Sequence, residues 1–340
     1  MQPGLVVSAP MRGPQGVRVA PLLAALAAAT ECRFLVASAG ERDLASGNAV
    51  TWQEWLDLPG LELLPHLHIL ADDASAAHAL RAALRRPGLT VLQDPGLAVL
   101  HQSLTLDVGQ PEAWVRALAS EHGGAGRRLA RAQLTGLFSA AQRHRLPMLD
   151  GLADVAPLLV VRSRHAAGFL PPHARFRVQP EPMPAPAAPD QDAARAALGF
   201  GPGRLLLVPL RAPSPLTALR HVAAQAGATL LPCLPADDVA LHAAACDAAL
   251  ALSLPFGATP LHPLAAAMAA GRPVLAWELD PAAEMPVRTV AFPADAATLA
   301  QAIGAMLEAG RGRTLAPGHQ GAARDLLALL PGCRIAAPAP

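Results

Sequence analysis

The chain has 340 residues, of which 52% are apolar and 16% are charged, so it is long enough for two domains and too apolar for a disordered protein. Its 27 basic and 26 acidic residues give a net charge of +1, which offers no electrostatic case for binding nucleic acid or an anionic membrane. Every basic residue is an arginine and tyrosine is absent. The absence of lysine excludes enzymes that form a Schiff base or bind pyridoxal phosphate through a lysine, and phosphate sites of the Walker type. The absence of tyrosine excludes a tyrosine as a general acid.

The cysteines and the apolar segments indicate which cellular compartment the protein occupies. Cys32, Cys233, Cys246 and Cys333 lie far apart without a CxxC pair, which argues against a zinc site and a disulfide framework. The first residues lack the basic segment and long apolar core of a signal peptide. The longest weakly charged run, 248–274, is interrupted by prolines and cannot form a membrane helix. We expect a cytoplasmic protein, at most peripheral to the inner membrane.

Short apolar runs alternate with Ala- and Leu-rich stretches of helical periodicity along the whole chain. A Pro/Gly loop at 10–16 separates the first strand from a helix at 19–29, and further helices are predicted at 76–86, 216–226 and 296–307, the last with Asp295 as N-cap. The predicted strands are 5–9, 33–37, 66–70, 89–93, 158–161, 205–209, 248–252, 273–276 and 288–292. This alternation predicts an α/β fold with parallel sheets.

A proline-rich stretch divides the chain into two similar halves. Residues 178–190, VQPEPMPAPAAPD, exclude a helix or a buried strand and predict a semi-rigid linker. We predict a Rossmann-like N-terminal domain over 1–178, a linker over 179–190, a Rossmann-like C-terminal domain over 191–332 and a tail over 333–340. Two doubly wound domains place a ligand cleft between them, at the carboxyl ends of both sheets.

The C-terminal half contains three sequence motifs in a fixed order. They are LHAAACDA at 241–248, AMAAGRPVLA at 267–276 and EMP at 284–286. Together they resemble the donor-binding half of GT-B glycosyltransferases, specifically glycosyltransferase family 4 (group 1 type).

The N-terminal half agrees with this resemblance in order and spacing. The loop and helix at 14–26 are similar to the family's glycine loop and first helix, LTVLQDPGLAVL at 89–100 to its "LHD" segment, and LVVRSRHA at 159–166 to its "HS" strand. The resemblance implies a GT-B fold with an interdomain cleft. It also implies metal-independent transfer of a sugar from a nucleotide diphosphate to a glycan or other acceptor, as in polysaccharide biosynthesis. The nucleotide-sugar is the substrate, and no separate cofactor is implied.

The chain departs from the family pattern at the donor site. No Asp or Glu occurs between Asp247 and Glu278, where the family has loop carboxylates, and Arg211 is the cation nearest to the position of the family's phosphate-binding lysine. A sugar hydroxyl without its charged acceptor loses roughly 1.5–3 kcal/mol. The alternative is therefore a catalytically degenerate GT-B-like protein that acts as a binding or partner subunit, for instance beside another glycosyltransferase.

The candidate catalytic residues are Asp94 and His101, which follow a predicted strand end where a base or sugar-contacting group could stand. The alternative is a turn-forming Asp and a surface His. The donor-binding candidates comprise the glycine of the loop, residues at a helix start, cations and a loop carboxylate, namely Gly16, Arg211, Thr259, Leu261, His262, Arg272 and Glu284.

The helix start at 259–261 is the predicted diphosphate site. Thr259 is predicted as N-cap, Pro260 as the first helical residue and Gly271 as the left-handed C-terminal residue. The exposed amides and the helix dipole at such an end attract an anion.

Other polar and aromatic residues have plainer interpretations. His78 is more readily a surface histidine than a substrate contact, and His66 and His68 are core-edge histidines rather than a metal pair. The glycines at 123, 124 and 126 indicate a helix–helix loop rather than an anion cradle. Trp52, Trp55 and Trp114 are expected to pack.

Overall fold

The computed structural model describes residues 4–45, 48–57, 60–137, 146–182, 190–210, 216–253, 259–309 and 318–330. The chain forms two compact units. The first unit comprises Met1–Gln179 together with Gln320–Pro340, and the second comprises Pro180–His319. Most of the predicted linker, 183–189, lies outside the described residues.

The first unit is built on a parallel sheet of seven strands in the order β3-β2-β1-β4-β5-β6-β7. The central strands are apolar and buried, as parallel strands covered on both faces require. The strands are β1 (Leu5–Ser8), β2 (Cys32–Val36), β3 (Ala49–Thr51), β4 (His66–Leu70), β5 (Leu89–Leu92), β6 (Leu158–Val161) and β7 (Phe176–Val178).

Helices follow most of these strands. They are α1 (Gly13–Ala29), α2 (Trp52–Asp57), α3 (Ala77–Arg85), α4 (Ala98–Ser103), α5 (Pro111–Leu134), α6 (Asp150–Ala153) and α7 (Arg164–Ala167). Trp55 and Trp114 are buried, and Trp52 packs on Trp55 with ring centroids 5.1 Å apart, so the predicted packing role of these residues is confirmed.

The long helix α5 bends back on itself at Gly123. This residue has non-helical backbone angles, with φ at 59°. Beyond the bend, Gly126 packs so closely that an added Cβ would lie 1.9 Å from the carbonyl oxygen of Leu118. The glycines therefore form a bend between two helical segments, in agreement with the predicted helix–helix loop.

The second unit contains a parallel sheet of five strands in the order β12-β11-β10-β8-β9. Its strands are β8 (Arg204–Pro209), β9 (Ala228–Cys233), β10 (Ala248–Ala251), β11 (Val274–Trp277) and β12 (Arg288–Val290), and its helices are α8 (Gln191–Ala197), α9 (Thr217–Gln225), α10 (Val239–Ala245), α11 (Leu261–Ala269) and α12 (Ala296–Ala309). The α/β fold with two parallel sheets is the predicted one.

Helix ends in this unit follow the sequence signals closely. The Asp295 carboxylate accepts a hydrogen bond from the Thr298 amide at 2.7 Å, as expected of an N-cap. At the end of α11, Gly271 has φ at 74°, its N–H donates to Met268 O, and Arg272 N–H donates to Ala267 O. These paired bonds form a Schellman motif, which confirms the predicted left-handed residue at Gly271.

The final described helix, α13 (His319–Ala328), belongs to the first unit rather than to the second. Its buried residues Ala323, Leu326 and Leu327 join the core that contains Leu5 and Leu26. The sequence analysis placed 320–332 in the C-terminal domain. Position along the chain does not reveal which core an apolar helix face covers, and here it covers the first sheet.

Among the residues that the structure describes, no helix has the length and apolar character needed to cross a membrane.

Candidate functional site

Asp94 lies at the carboxyl end of β5, within a polar cluster of the first unit. Only 5% of Asp94 is exposed. Its Oδ2 accepts a hydrogen bond of 3.0 Å from the amide of Asp72, which follows the neighbouring strand β4. The Asp72 Oδ1 atom in turn accepts one of 3.0 Å from the amide of Leu100 in α4. These two carboxylates tie two strand ends to the helix that contains His101.

Two arginines complete this cluster. Arg18 of α1 donates from Nη2 to the carbonyl oxygen of Gln93 at 3.1 Å, and its Nη1 lies 3.9 Å from Asp94 Oδ1. Arg162, which follows β6, donates from Nε to Oε1 of Gln93 at 3.3 Å. Charges of both signs are thus gathered where the three parallel strands β4, β5 and β6 end, the edge at which α/β proteins bind ligands.

His101 occupies α4 next to Leu100 and is partly buried. Burial lowers the pKa of His101 from its ordinary value, so the neutral imidazole is favoured at neutral pH. A neutral imidazole can accept a proton or hydrogen-bond a hydroxyl. The bond between the Leu100 amide and Asp72 thus joins the helix that contains His101 to the cluster around Asp94.

Gly16 has a steric role in the turn that precedes α1. A Cβ at this position would lie 2.5 Å from the carbonyl carbon of Met11, so a larger residue would displace the loop. The Gly16 amide donates to Arg12 O at 3.1 Å within the first helical turn. Gly16 thereby fixes the start of α1, and its assignment to donor binding stays a prediction.

His78, expected at the surface, is instead buried at the start of α3. Burial lowers its pKa, and the nearby Glu41 carboxylate opposes that shift. The surface prediction was wrong because the small residues before His78 let the first turn of α3 pack against the sheet.

The start of α11 differs from the prediction by one residue. The helix begins at Leu261, and Pro260 occupies the N-cap position with extended backbone angles and no side-chain cap. Thr259 was predicted as N-cap; it lies one residue earlier, because Pro260 adopts the non-helical conformation of the cap. The Thr259 hydroxyl is buried and has no hydrogen-bond partner among the described residues.

The other donor-site candidates separate into two groups. Thr259, Leu261 and His262 follow β10, and the exposed Glu284 ends a helical turn, Pro281–Glu284, that follows β11. Because β10 and β11 are parallel neighbours, these residues share the carboxyl edge of the second sheet. Arg211 lies outside the described residues.

Arg272 is placed at the opposite edge. It precedes β11, and its Nη2 donates to the carbonyl oxygen of Ala244 near the end of α10 at 3.0 Å. A cation at a helix C-terminus stabilises the unpaired carbonyls there. The structure thus gives Arg272 a structural contact and does not bring it to Thr259.

The sequence analysis did not identify Arg18 or Asp72. A usable signal existed for Asp72, because it lies just beyond a predicted strand and so belongs to the ligand-binding edge. Arg18 has no such signal, since its second-turn position in a helix resembles that of any exposed arginine.

No protein-family model and no curated protein matches the chain. Among solved structures, the fold is similar to that of HepE from Anabaena in complex with UDP and glucose, with a TM-score of 0.51, 14% identity and 95% of each chain covered. Sucrose-phosphate synthase from Thermosynechococcus elongatus aligns with a TM-score of 0.49, 14% identity and 90% of each chain covered. A glycosyltransferase from Rickettsia africae aligns with a TM-score of 0.45 and 12% identity, over 96% of this chain and 93% of that one. The two parallel sheets and the HepE likeness together show that the chain has the GT-B fold.

Proposed function

We propose that the protein transfers a sugar from a nucleotide diphosphate to a glycan or another hydroxyl acceptor, without a metal ion. The GT-B fold supports this proposal, as does the presence of UDP and glucose in the HepE structure of similar fold. The donor occupies the carboxyl edge of the second sheet, and the acceptor that of the first.

The buried hydroxyl of Thr259 is the observation that carries the proposal. A buried hydroxyl without a partner costs about 1–3 kcal/mol, and a phosphate oxygen would accept a hydrogen bond from it. Thr259 lies beside the N-terminus of α11. In the first turn of this helix Leu261 and His262 have amide N–H groups that can donate to an anion, whereas Pro263 has none. The helix dipole adds roughly 0.3–1 kcal/mol for an anion at this end.

Transfer requires a group that accepts the hydroxyl proton of the acceptor. In the proposed reaction the acceptor oxygen attacks the anomeric carbon, the bond from that carbon to the diphosphate breaks, and the proton passes to the Asp94 carboxylate. His101, favoured as a neutral imidazole, holds a hydroxyl of the acceptor by a hydrogen bond. The diphosphate leaves with the electron pair of the broken bond.

The missing carboxylates predict weak donor binding. No Asp or Glu between Asp247 and Glu278 is available for the ribose or sugar hydroxyls, and the chain has no lysine for the phosphates. Each lost charge-assisted hydrogen bond costs roughly 1.5–3 kcal/mol, so we expect affinity nearer millimolar than micromolar. The same observation favours a second candidate function, a catalytically inactive GT-B subunit that binds a glycan or a partner glycosyltransferase.

Titration of UDP and GDP tests the donor site. Millimolar nucleotide should raise the Tm of the wild type, because a ligand of the native state stabilises it. Thr259→Val keeps the side-chain shape and removes the hydroxyl, so the apo protein should be at least as stable while nucleotide affinity falls roughly tenfold or more. Thr229→Val, at an exposed position of β9, is the matched control and should bind as the wild type does.

The outcomes separate the two functions. Nucleotide binding with turnover of a nucleotide-sugar supports the transferase. Nucleotide binding without turnover supports the inactive subunit. If neither nucleotide raises the Tm at roughly 10 mM, where a millimolar ligand must be visible, the donor site does not exist and the transferase proposal fails.

A further inference from the structure

Arg18 is an unusual arginine for its place in the chain, because it lies in the second turn of α1 and its side chain is only 10% exposed. Moving a guanidinium out of water is costly unless opposite charge and hydrogen-bond acceptors surround it. Arginine residues are seldom buried without such partners. The contacts of Arg18 therefore indicate what this side chain does.

Both ends of its guanidinium fork face the same dipeptide. Nη2 donates to the backbone oxygen of Gln93 at 3.1 Å, and Nη1 lies 3.9 Å from the Oδ1 atom of Asp94. The first contact is a hydrogen bond that fixes the backbone just before Asp94, and the second is an ion pair. In a buried location this pair is weakly screened by solvent and salt.

The second carboxylate oxygen of Asp94 is fixed independently. The Asp72 amide donates to Oδ2 at 3.0 Å from the adjacent strand end, so the plane of the carboxylate is defined from two sides. Removing the guanidinium would leave the Asp72 contact at Oδ2 and remove the ion pair at Oδ1.

The position of Arg18 is itself defined by the turn that precedes it. Gly16 allows the backbone of Met11 to approach within 2.5 Å of where a Cβ would stand, which sets the first turn of α1 against that loop. Arg18 follows by two residues, so its side chain begins from a rigid part of the helix.

We propose that Arg18 is a positioning residue, which holds the Asp94 carboxylate in the orientation that accepts the hydroxyl proton of the acceptor. The inference rests on the proposed function, because it assigns Asp94 a part in glycosyl transfer. Arg18 acts through Asp94 and contacts neither substrate.

A double-mutant cycle tests this role in the full chain, with Arg18→Met, Asp94→Asn and the double variant. Arg18→Met should lower kcat roughly 10–100-fold per folded molecule, since misplacement of a reacting group by about 1 Å costs that much, and should leave the KM of the nucleotide-sugar within about twofold. In the Asp94→Asn background, Arg18→Met should change kcat no further. Arg18→Lys, which keeps the charge and loses the fork, should recover part of the loss.

Thermal unfolding gives a readout that needs no turnover. Arg18→Met should lower the Tm by several degrees, because it removes the positive charge that lies 3.9 Å from the buried Asp94 carboxylate. Adding Asp94→Asn should restore part of that Tm. Arg81→Met, an exposed arginine of α3, is the control and should change neither Tm nor kcat.

The outcomes distinguish the two proposals. If Asp94→Asn keeps a low but measurable kcat and Arg18→Met lowers kcat by the same factor in both backgrounds, Arg18 does not act through Asp94 and the inference is overturned while the proposed function stands. If Asp94→Asn is as active as the wild type, both assignments fail. If the wild type turns over no nucleotide-sugar, the proposed function fails, and an unrestored Tm in the double variant then also rejects the pairing of Arg18 with Asp94.

Discussion

The hydroxyl of Ser8 in β1 lies 2.7 Å from Nδ1 of His68 in the adjacent strand β4. On the other side of the ring, Nε2 lies 2.9 Å from the carbonyl oxygen of Arg86. A carbonyl only accepts, so Nε2 bears the proton and Nδ1 accepts from Ser8. These bonds define one neutral tautomer, and burial lowers the pKa of His68 to about 4.

This histidine should make the protein sensitive to acid. The unfolded chain binds the proton near pH 6.5 and the folded chain only near pH 4, so stability is lost as pH falls through that range. At pH 5 the loss from His68 is about 2 kcal/mol. We expect the stability advantage of the wild type over His68→Gln to shrink by this amount between pH 7 and pH 5, measured by urea unfolding. Parallel losses in both proteins would contradict the assignment.

Glu121 should act in the opposite direction. Its carboxylate accepts hydrogen bonds of 2.9 Å from the amides of Leu149 and Asp150. Burial, together with the nearby Asp150 charge, raises the pKa of Glu121 to about 7. The folded chain keeps this proton after the unfolded chain has lost it, so stability falls as pH rises from 4.5 through 7.

Partial exposure of the carboxyl limits that loss to about 1–2 kcal/mol. Glu121→Gln does not titrate, so the difference in unfolding free energy between wild type and variant should move by this amount in favour of the variant from pH 5 to pH 8. Glu112→Gln, exposed on the same helix, should show a constant difference.

The bend in α5 gives a steric prediction with an internal control. Gly126→Ala places a Cβ 1.9 Å from Leu118 O and should destabilise the protein by about 1–3 kcal/mol, as overpacking does. Gly124→Ala meets only the flexible end of Arg128 at 3.7 Å and should be neutral or slightly stabilising. Thermal unfolding of the two variants checks this, and equal Tm values would refute the close helix contact.

Arg272 should matter for stability and not for nucleotide binding. Arg272→Met removes the hydrogen bond to Ala244 O and should cost about 1 kcal/mol. The affinity for UDP or GDP should stay unchanged, because Arg272 lies at the amino edge of the second sheet. If calorimetry shows that Arg272→Met binds UDP or GDP tenfold more weakly than the wild type, Arg272 contributes to nucleotide binding and this prediction is wrong.

The sequence predicted the buried strands better than the edges. The bounds of β4 and β6 match the predicted 66–70 and 158–161. A continuous apolar run marks β6 as a strand covered on both faces, whereas β4 also contains two buried histidines. Strand β9 was missed since it contains Pro232, a residue that a strand tolerates at a sheet edge, where β9 lies. Helix α1 begins at Gly13, earlier than predicted, because Pro14 fits a first helical turn.

The site was predictable where a residue follows a strand and not where a distant helix supplies it. Asp94 could be placed at the carboxyl edge from its position alone, whereas its contact with Arg18 depends on how α1 packs. Arg272 could have been placed at the amino edge, because it precedes a predicted strand. Arg272 was instead assigned to the donor site because the segment 267–276 resembles a donor-binding motif.

Helix α13 gives the first unit an unusual dependence on the order of synthesis. A nascent chain emerges from the ribosome N-terminus first, and domains generally fold as units in that order. Leu26 of α1 shares one buried core with Leu326 and Leu327 of α13, which are made only after the entire second unit. The core of the first unit is therefore complete only when translation has passed Ala328.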